Sequence, residues 1–230
     1  EESGSLKNLY KDDFQKYIDY NMKDVELVER IEEKMGLITL AMTMAYKAGV
    51  NYGDTFGVTN IWESIIYRKL NSEKKMPPVF TAEAVRTKFA GGFVKEPQVG
   101  AHDWVVSFDL NSLYPNIIVQ WNMSTETLVD QSEISGVEYY MNSKPGTSVY
   151  SVAANGSTYR RNIDGVIPNI IIDYYDDRKS IKKQMLAAES AYQKDKSKGL
   201  EKEINKLNNQ QMAIKILMNS LYGALGNQYF

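Results

Sequence analysis

The chain has 230 residues, a formal net charge of −2, no cysteine and a single histidine, His102. Disulfide frameworks, cysteine-zinc sites and histidine-rich metal sites are therefore excluded, and no apolar run reaches the length of a membrane span. Hydrophobic residues make up 43% and charged residues 24%, which is ordinary globular composition with enough apolar material for a real core.

Charge is uneven along the chain. Residues 1–36 carry six Lys/Arg against ten Asp/Glu, whereas residues 178–215 carry ten against four. A basic stretch inside a slightly acidic chain points either to a local anionic ligand or to a solvated helix face. The chain begins EESGS without an initiator methionine and stops at GNQYF, which reads as a piece of a longer protein.

In chain order, the spacing of Phe14, Tyr17, Val25, Val28 and Ile31 predicts an amphipathic helix over about Asp12–Met35, stopped by Gly36. A second helical run, LITLAMTMAYKAGV, follows, and a third covers NIWESIIYRKL. SEKKMPP reads as a hinge. WVVSFDL is a short continuous apolar run, expected to be a strand buried on both faces. VYSVAANGSTYRR predicts a hairpin, with Asn155-Gly156 in a tight type I′ turn, and Asp164-Gly165 predicts a further turn. Pro168 suits a first helical position, so a long helix is expected from there to about Lys196. A second long helix, roughly Leu200 to Leu221, should fold back on it as an antiparallel hairpin.

Two stretches carry chemistry. In SFDLNSLYPNII the strand delivers Asp109 to its end, and a turn over Leu110–Tyr114 leads into a helix from Pro115. Unpaired N–H groups at a helix start form a ready phosphate site. A carboxylate beside phosphate makes sense with a cation between them, and Mg²⁺ uses one or two carboxylates plus substrate phosphate oxygens. The plainer alternative is that Asp109 caps its turn. In KILMNSLYGALG, Lys215 and Asn219 are one helical turn apart and Tyr222 and Gly223 continue that face. Arg178 and Lys182 on the preceding helix are also four apart, so the hairpin offers three cations to a triphosphate.

DLNSLYPNII resembles motif A of family B DNA polymerases, DxxSLYPS, and KILMNSLYG resembles their motif B, KxxxNSxYG. SVYSVAANGSTYRRNIDGVIP and RKSIKKQMLAAE are similar to the palm and fingers of the T-even-type phage branch, so the resemblance covers essentially the whole chain. It implies an α+β, multi-domain fold: a helical exonuclease remnant (1–36), a helical linker (37–79), the first part of an antiparallel palm sheet (80–166) and a long antiparallel helical fingers hairpin (167–230).

The resemblance implies site residues as well. Asp109 would bind both catalytic metals, two Mg²⁺ per polymerase site, with the Leu110 carbonyl as a further ligand. Ser112, Leu113 and Tyr114 would bind the incoming triphosphate, largely through backbone N–H groups, and the Tyr114 ring would exclude a ribose 2′-hydroxyl. Arg178, Lys182 and Lys215 would grip the phosphates, while Asn219, Tyr222 and Gly223 shape the pocket. Tyr20 and Asp24 in YNMKD fit the YxxxD motif of the 3′–5′ proofreading exonuclease, Asp24 as metal ligand and Tyr20 orienting the attacking water. Gly91 and Gly92 in AGGFV resemble the motif that contacts template DNA. Asn116 departs from the pattern, which has serine there; a polar-for-polar change at a helix start implies tuning.

The YGDTDS-type turn that supplies the second polymerase carboxylate is not in the sequence, nor are the first two exonuclease motifs or the thumb. This polypeptide alone is therefore expected to have no polymerase or exonuclease activity, and to bind triphosphate weakly. The implied partners are primer-template DNA, dNTP, the missing polymerase portion on the same or a separate chain, and a sliding clamp, but no membrane. The implied setting is the cytoplasm of an infected bacterial host. Two other readings stand beside this one: an inactivated relative that only binds nucleotide or nucleic acid, and a purely structural helical protein.

Overall fold

Asp13 decides how the chain starts to fold. The structure, a computed structural model, describes residues 6–77, 92–130, 149–153, 155–227 and 230. Where one helix over Asp12–Met35 was expected there are two, α1 (Leu6–Asp12) and α2 (Phe14–Met35). Asp13 separates them because its carboxylate accepts from Lys16 N–H at 3.0 Å, capping α2. Gly36 ends α2 at φ +61°, and its N–H donates to the Glu32 carbonyl at 2.7 Å. Glycine reaches that left-handed conformation without a Cβ penalty.

Helix α3 (Leu37–Ala48), a 3₁₀ turn (Tyr52–Phe56) and α4 (Val58–Ser72) follow. Next come α5 (Leu113–Trp121) and three short strands, β1 (Leu128–Asp130), β2 (Tyr150–Val152) and β3 (Thr158–Arg160). The strands make an antiparallel sheet in the order β1-β3-β2, with Tyr150 opposite Arg160 and Leu128 opposite Tyr159. The chain then runs up α6 (Val166–Tyr192) and back down α7 (Lys198–Leu225), the long expected hairpin. The fold is α+β, dominated by helix.

One hydrophobic cluster organises these parts. Ala48 of α3, Ile61 and Trp62 of α4, Ile118 of α5, Ile170 and Ile171 of α6, and Leu217 and Leu221 of α7 are buried together. Fully burying side chains of this size stabilises by about 1.5–3 kcal/mol each, so this cluster anchors the long helical hairpin to the helices before it. The junction between α5 and α6 is made by Asn122, itself left-handed at φ +56°. Its amide donates to the carbonyls of Arg160 (2.7 Å) and Ile163 (2.8 Å), and its oxygen accepts from Gly165 N–H at 3.0 Å. Gly165 has to be small there: a Cβ would stand 2.9 Å from Ser124 Cβ. At the sheet, Trp121 Nε1 donates to the Val152 carbonyl at 2.9 Å and Ser151 Oγ to the Trp121 carbonyl at 2.6 Å.

Four local expectations are corrected. WVVSFDL forms no strand, and Trp104, Val106 and Phe108 are 98%, 70% and 90% exposed. A continuous apolar run states a need for burial, and a strand meets that need only with neighbours on both sides, none of which are among the described residues. The β2–β3 connection is five residues rather than a two-residue type I′ turn. There Asn155 Oδ1 accepts from Ser157 N–H at 3.1 Å, Gly156 N–H donates to the Ala153 carbonyl at 2.8 Å, and only Gly156 of the pair has positive φ. Gly165 is extended at φ −70° and serves as the N-cap residue of α6, so Asp164-Gly165 is not a tight turn. Pro168 and Pro115 are both the third residue of their helices, which begin two residues earlier than expected at Val166 and Leu113. The first turn has no intrahelical use for an N–H, so proline fits there as well as at the first position. Ala90 and Gly91 lie outside the described residues.

Candidate nucleotide-binding and metal site

Asp109 lies exposed in the irregular stretch that leads into α5, between the exposed Phe108 and Leu110. Three residues on, Ser112 is the N-cap residue of α5 in a left-handed conformation, φ +50° and ψ 47°, and its side chain makes no capping bond. That conformation costs a non-glycine residue about 1–2 kcal/mol. Its effect is to start the helix at Leu113, so the N–H groups of Leu113 and Tyr114 are first-turn donors without an intrahelical acceptor. The first bond inside the helix runs from Asn116 N–H to the Ser112 carbonyl at 3.0 Å. Asn116 also braces the turn, since its Nδ2 donates to the Asn111 carbonyl at 2.8 Å. The asparagine that departs from the usual serine thus has a local job.

Tyr114 meets α7. Its ring stacks on that of Tyr222 with centroids 4.8 Å apart and planes 9° from parallel. Gly92 is beside the same ring, with the Tyr114 hydroxyl 3.9 Å from where a Cβ would be. Three distant parts of the chain therefore converge on the helix start. Gly223 faces open space, with nothing within 4 Å of a would-be Cβ.

The rotation of α7 follows from its buried side. Leu217 and Leu221 are buried at 0% and 1% exposure, which turns Lys215, Asn219, Tyr222 and Gly223 outward. Between the two leucines, Ser220 Oγ donates to the Leu217 carbonyl at 2.8 Å and accepts from Trp62 Nε1 at 3.1 Å. The wholly buried indole of α4 thereby helps hold the helix that presents these residues. Sequence reasoning missed Trp62 and Ser220, although Ser220 sits inside the NSLYG stretch.

On the hairpin, Lys182 and Lys215 are exposed and Arg178 is partly buried. At 1.5 Å rise per residue, the three cations fall within roughly two helical turns of one another along the hairpin axis. At the foot of α6, Glu126 Oε1 accepts from Val166 N–H at 2.5 Å and Oε2 accepts from Ser124 Oγ at 2.7 Å. Burial works to raise the Glu126 pKa, but the bonds from Ser124 and Val166 outweigh it and hold the carboxyl below its ordinary value.

Among the described residues no group of three His, Cys, Asp or Glu could hold a metal ion. Asp109 with the adjacent Leu110 carbonyl is a partial oxygen donor set. It fits Mg²⁺ to that extent, because Mg²⁺ takes few protein ligands and completes its shell with phosphate and water oxygens. Tyr20 and Asp24 are exposed, one turn apart on α2, a helix that buries no residue and packs chiefly on α1. They are not gathered with the residues around Tyr114.

The model of DNA polymerase family B matches residues 58–229, so the chain belongs to DNA polymerase family B. Within the family its likeness extends over nearly its whole length to T-even-type phage enzymes. It is 32% identical to the DNA-directed DNA polymerase of Escherichia phage RB69 and 33% identical to that of Enterobacteria phage T4, in each case over 99% of this chain. It spans 30% of the length of those two relatives. The DNA polymerase of Thermococcus sp. strain 9oN-7 is 33% identical over 73% of this chain and 19% of that protein. A solved family B DNA polymerase from the hyperthermophilic archaeon Pyrobaculum calidifontis shares the fold, with a TM-score of 0.60 and 24% identity over 85% of this chain and 23% of that one.

Proposed function

We propose that this chain is the nucleotide-gripping part of a DNA-templated DNA polymerase, which transfers nucleotides from dNTP to a primer 3′ end. The observation that carries the reading is the Tyr114–Tyr222 stack, which brings the start of α5 against the exposed face of α7. A sugar-phosphate could enter there with backbone donors from Leu113 and Tyr114 on one side and the hairpin cations Arg178, Lys182 and Lys215 on the other. Asp109 and the Leu110 carbonyl would hold Mg²⁺ against the phosphates. Bound there, Mg²⁺ supplies charge neutralisation and orients the reacting oxygens. The Tyr114 ring under the sugar would reject a 2′-hydroxyl, Asn219 and Gly223 would border the base pair, and Gly92, with Gly91, would face template strand.

The same reading divides the chain into an exonuclease end with Tyr20 and Asp24 (1–36), a linker (37–79), a palm portion (80–166) and fingers (167–230). It places the complete enzyme in an infected bacterium, working on primer-template with a sliding clamp. A lone Asp109 is half of a two-metal carboxylate set, so this polypeptide by itself should bind dNTP weakly and extend no primer.

Calorimetric titration with a dNTP and Mg²⁺, run beside primer extension, tests this. Weak binding that Lys215→Ala reduces, without extension, is the expected result. Affinity indifferent to Lys215→Ala would remove the phosphate grip, and extension abolished by Asp109→Ala would overturn the expected inactivity.

A further inference from the structure

Two buried polar atoms on the hairpin have no hydrogen-bond partner among the described residues: Arg178 Nε and Gln211 Oε1. One can only donate and the other can only accept. They also stand at the same level. Arg178 is 14 residues before the end of α6 at Tyr192, and Gln211 is 13 residues after the start of α7 at Lys198. Equal rise on two antiparallel helices sets those positions at about the same height on the hairpin. Gln211 is 7% exposed, and its other amide atom is already committed, with Nε2 donating to Asn208 Oδ1 at 3.0 Å. That bond leaves Oε1 as the free atom of the amide. A buried glutamine with a spare acceptor, level with an arginine with a spare donor, offers each the partner that the other lacks.

We propose that Gln211 is a positioning residue for Arg178. Its side-chain oxygen accepts from Arg178 Nε–H and so aims the two Nη groups, as a fork of parallel donors, at the oxygens of a bound triphosphate. The proposal rests on the reading of Arg178 as a phosphate-gripping residue. Without the brace, the guanidinium rotates about its stem and meets phosphate with one nitrogen; with it, two parallel bonds form, the strong geometry for an oxyanion. Gln211 is also one turn before Lys215 on the same helix, so the buried brace and the exposed cation are neighbours along α7.

The test follows the Arg178 Nε–H signal by ¹⁵N NMR of this chain, assigned as the arginine signal missing in Arg178→Lys, with dATP and Mg²⁺ titrated in. Saturating dATP should slow solvent exchange of that proton about tenfold, as for a charge-assisted bond. Gln211→Leu, similar in size but without the acceptor, should remove the slowing and weaken dATP binding about tenfold. Gln211→Glu, which keeps an acceptor but adds a negative charge beside the phosphates, should retain the slowing while lowering affinity. In the Arg178→Lys background, Gln211→Leu should change affinity no further, whereas a merely structural role would weaken it equally. Binding with unchanged exchange in Gln211→Leu, or equal weakening in both backgrounds, would overturn the brace and leave the phosphate grip standing. No binding by the unsubstituted chain would overturn both.

Discussion

Helices α2 and α7 look alike as sequence and end differently as structure. Both are long, both carry apolar residues at helical spacing, and both are capped at their start by a side chain, Asp13 for α2 and Ser197 for α7. Yet α7 buries Leu217, Met218, Leu221 and Ala224, while α2 buries nothing and leaves Val25 and Val28 64% and 68% exposed. The segment around Asp109 repeats the α2 pattern, with Trp104 and Phe108 in the open. Amphipathic pattern thus specifies a surface that wants a partner. Whether the partner is at hand depends on other elements, here α3 to α6 for α7.

The largest effect should come from breaking the well-partnered side of that comparison. Trp62→Ala empties the space between α4 and α7 and should cost about 3–5 kcal/mol in chemical denaturation, the range for a buried aromatic. Trp104→Ala, on the exposed segment, should stay within about 0.5 kcal/mol. Equal losses would mean that the 92–110 stretch is packed after all. On the face that α7 presents, Lys215→Ala should weaken dNTP binding by about 1.5–3 kcal/mol, the size of a charged hydrogen bond. The matching change on α2, Lys23→Ala, should leave that affinity alone.

Glu126 sharpens the comparison at the foot of the hairpin. Glu126→Gln should cost about 1 kcal/mol at neutral pH through weaker capping of α6. The pH dependence has a definite sign. The folded carboxyl has a lowered pKa, so its contribution is present above the ordinary glutamate range and disappears as pH falls through the folded value. Denaturation midpoints between pH 7 and acid should fall less for Glu126→Gln than for the unsubstituted chain.

The smallest effect belongs to the surface. Lys69 Nζ is 3.0 Å from Asp173 and links α4 to α6, but Asp173 is 63% exposed. Asp173→Asn should cost under about 1 kcal/mol, and the difference should vanish in concentrated salt. A larger, salt-resistant loss would move this contact from the surface to the scaffold.

Much of the framework was legible beforehand, for local reasons. Gly36 ended a helix as read, the hairpin of two long helices formed, and the strands flanking Asn155-Gly156 pair antiparallel. Some of the errors were local in kind, whereas the missing WVVSFDL strand was not, because a strand needs neighbours from elsewhere in the chain. A one-residue cap at Asp13 split a helix that periodicity alone would have continued, and proline at the third position shifted two helix starts. At the site, sequence spacing picked out Tyr114 and Tyr222 separately, but nothing in either segment says that their rings stack. Ser112 in a left-handed conformation was equally unreadable, since serine seldom adopts it and the surrounding contacts hold it there.

By itself the sequence determined which stretches form helices, which residue types could handle phosphate and cation, and membership of a polymerase family. These are properties of neighbours along the chain: periodicity, caps and short motifs. Only the tertiary structure decided that α7 packs one side into the core and α2 does not, that Trp62 holds Ser220, and that Tyr114 stacks on Tyr222. Those relations join residues far apart in the chain, and no local pattern encodes which distant surface will meet a given face.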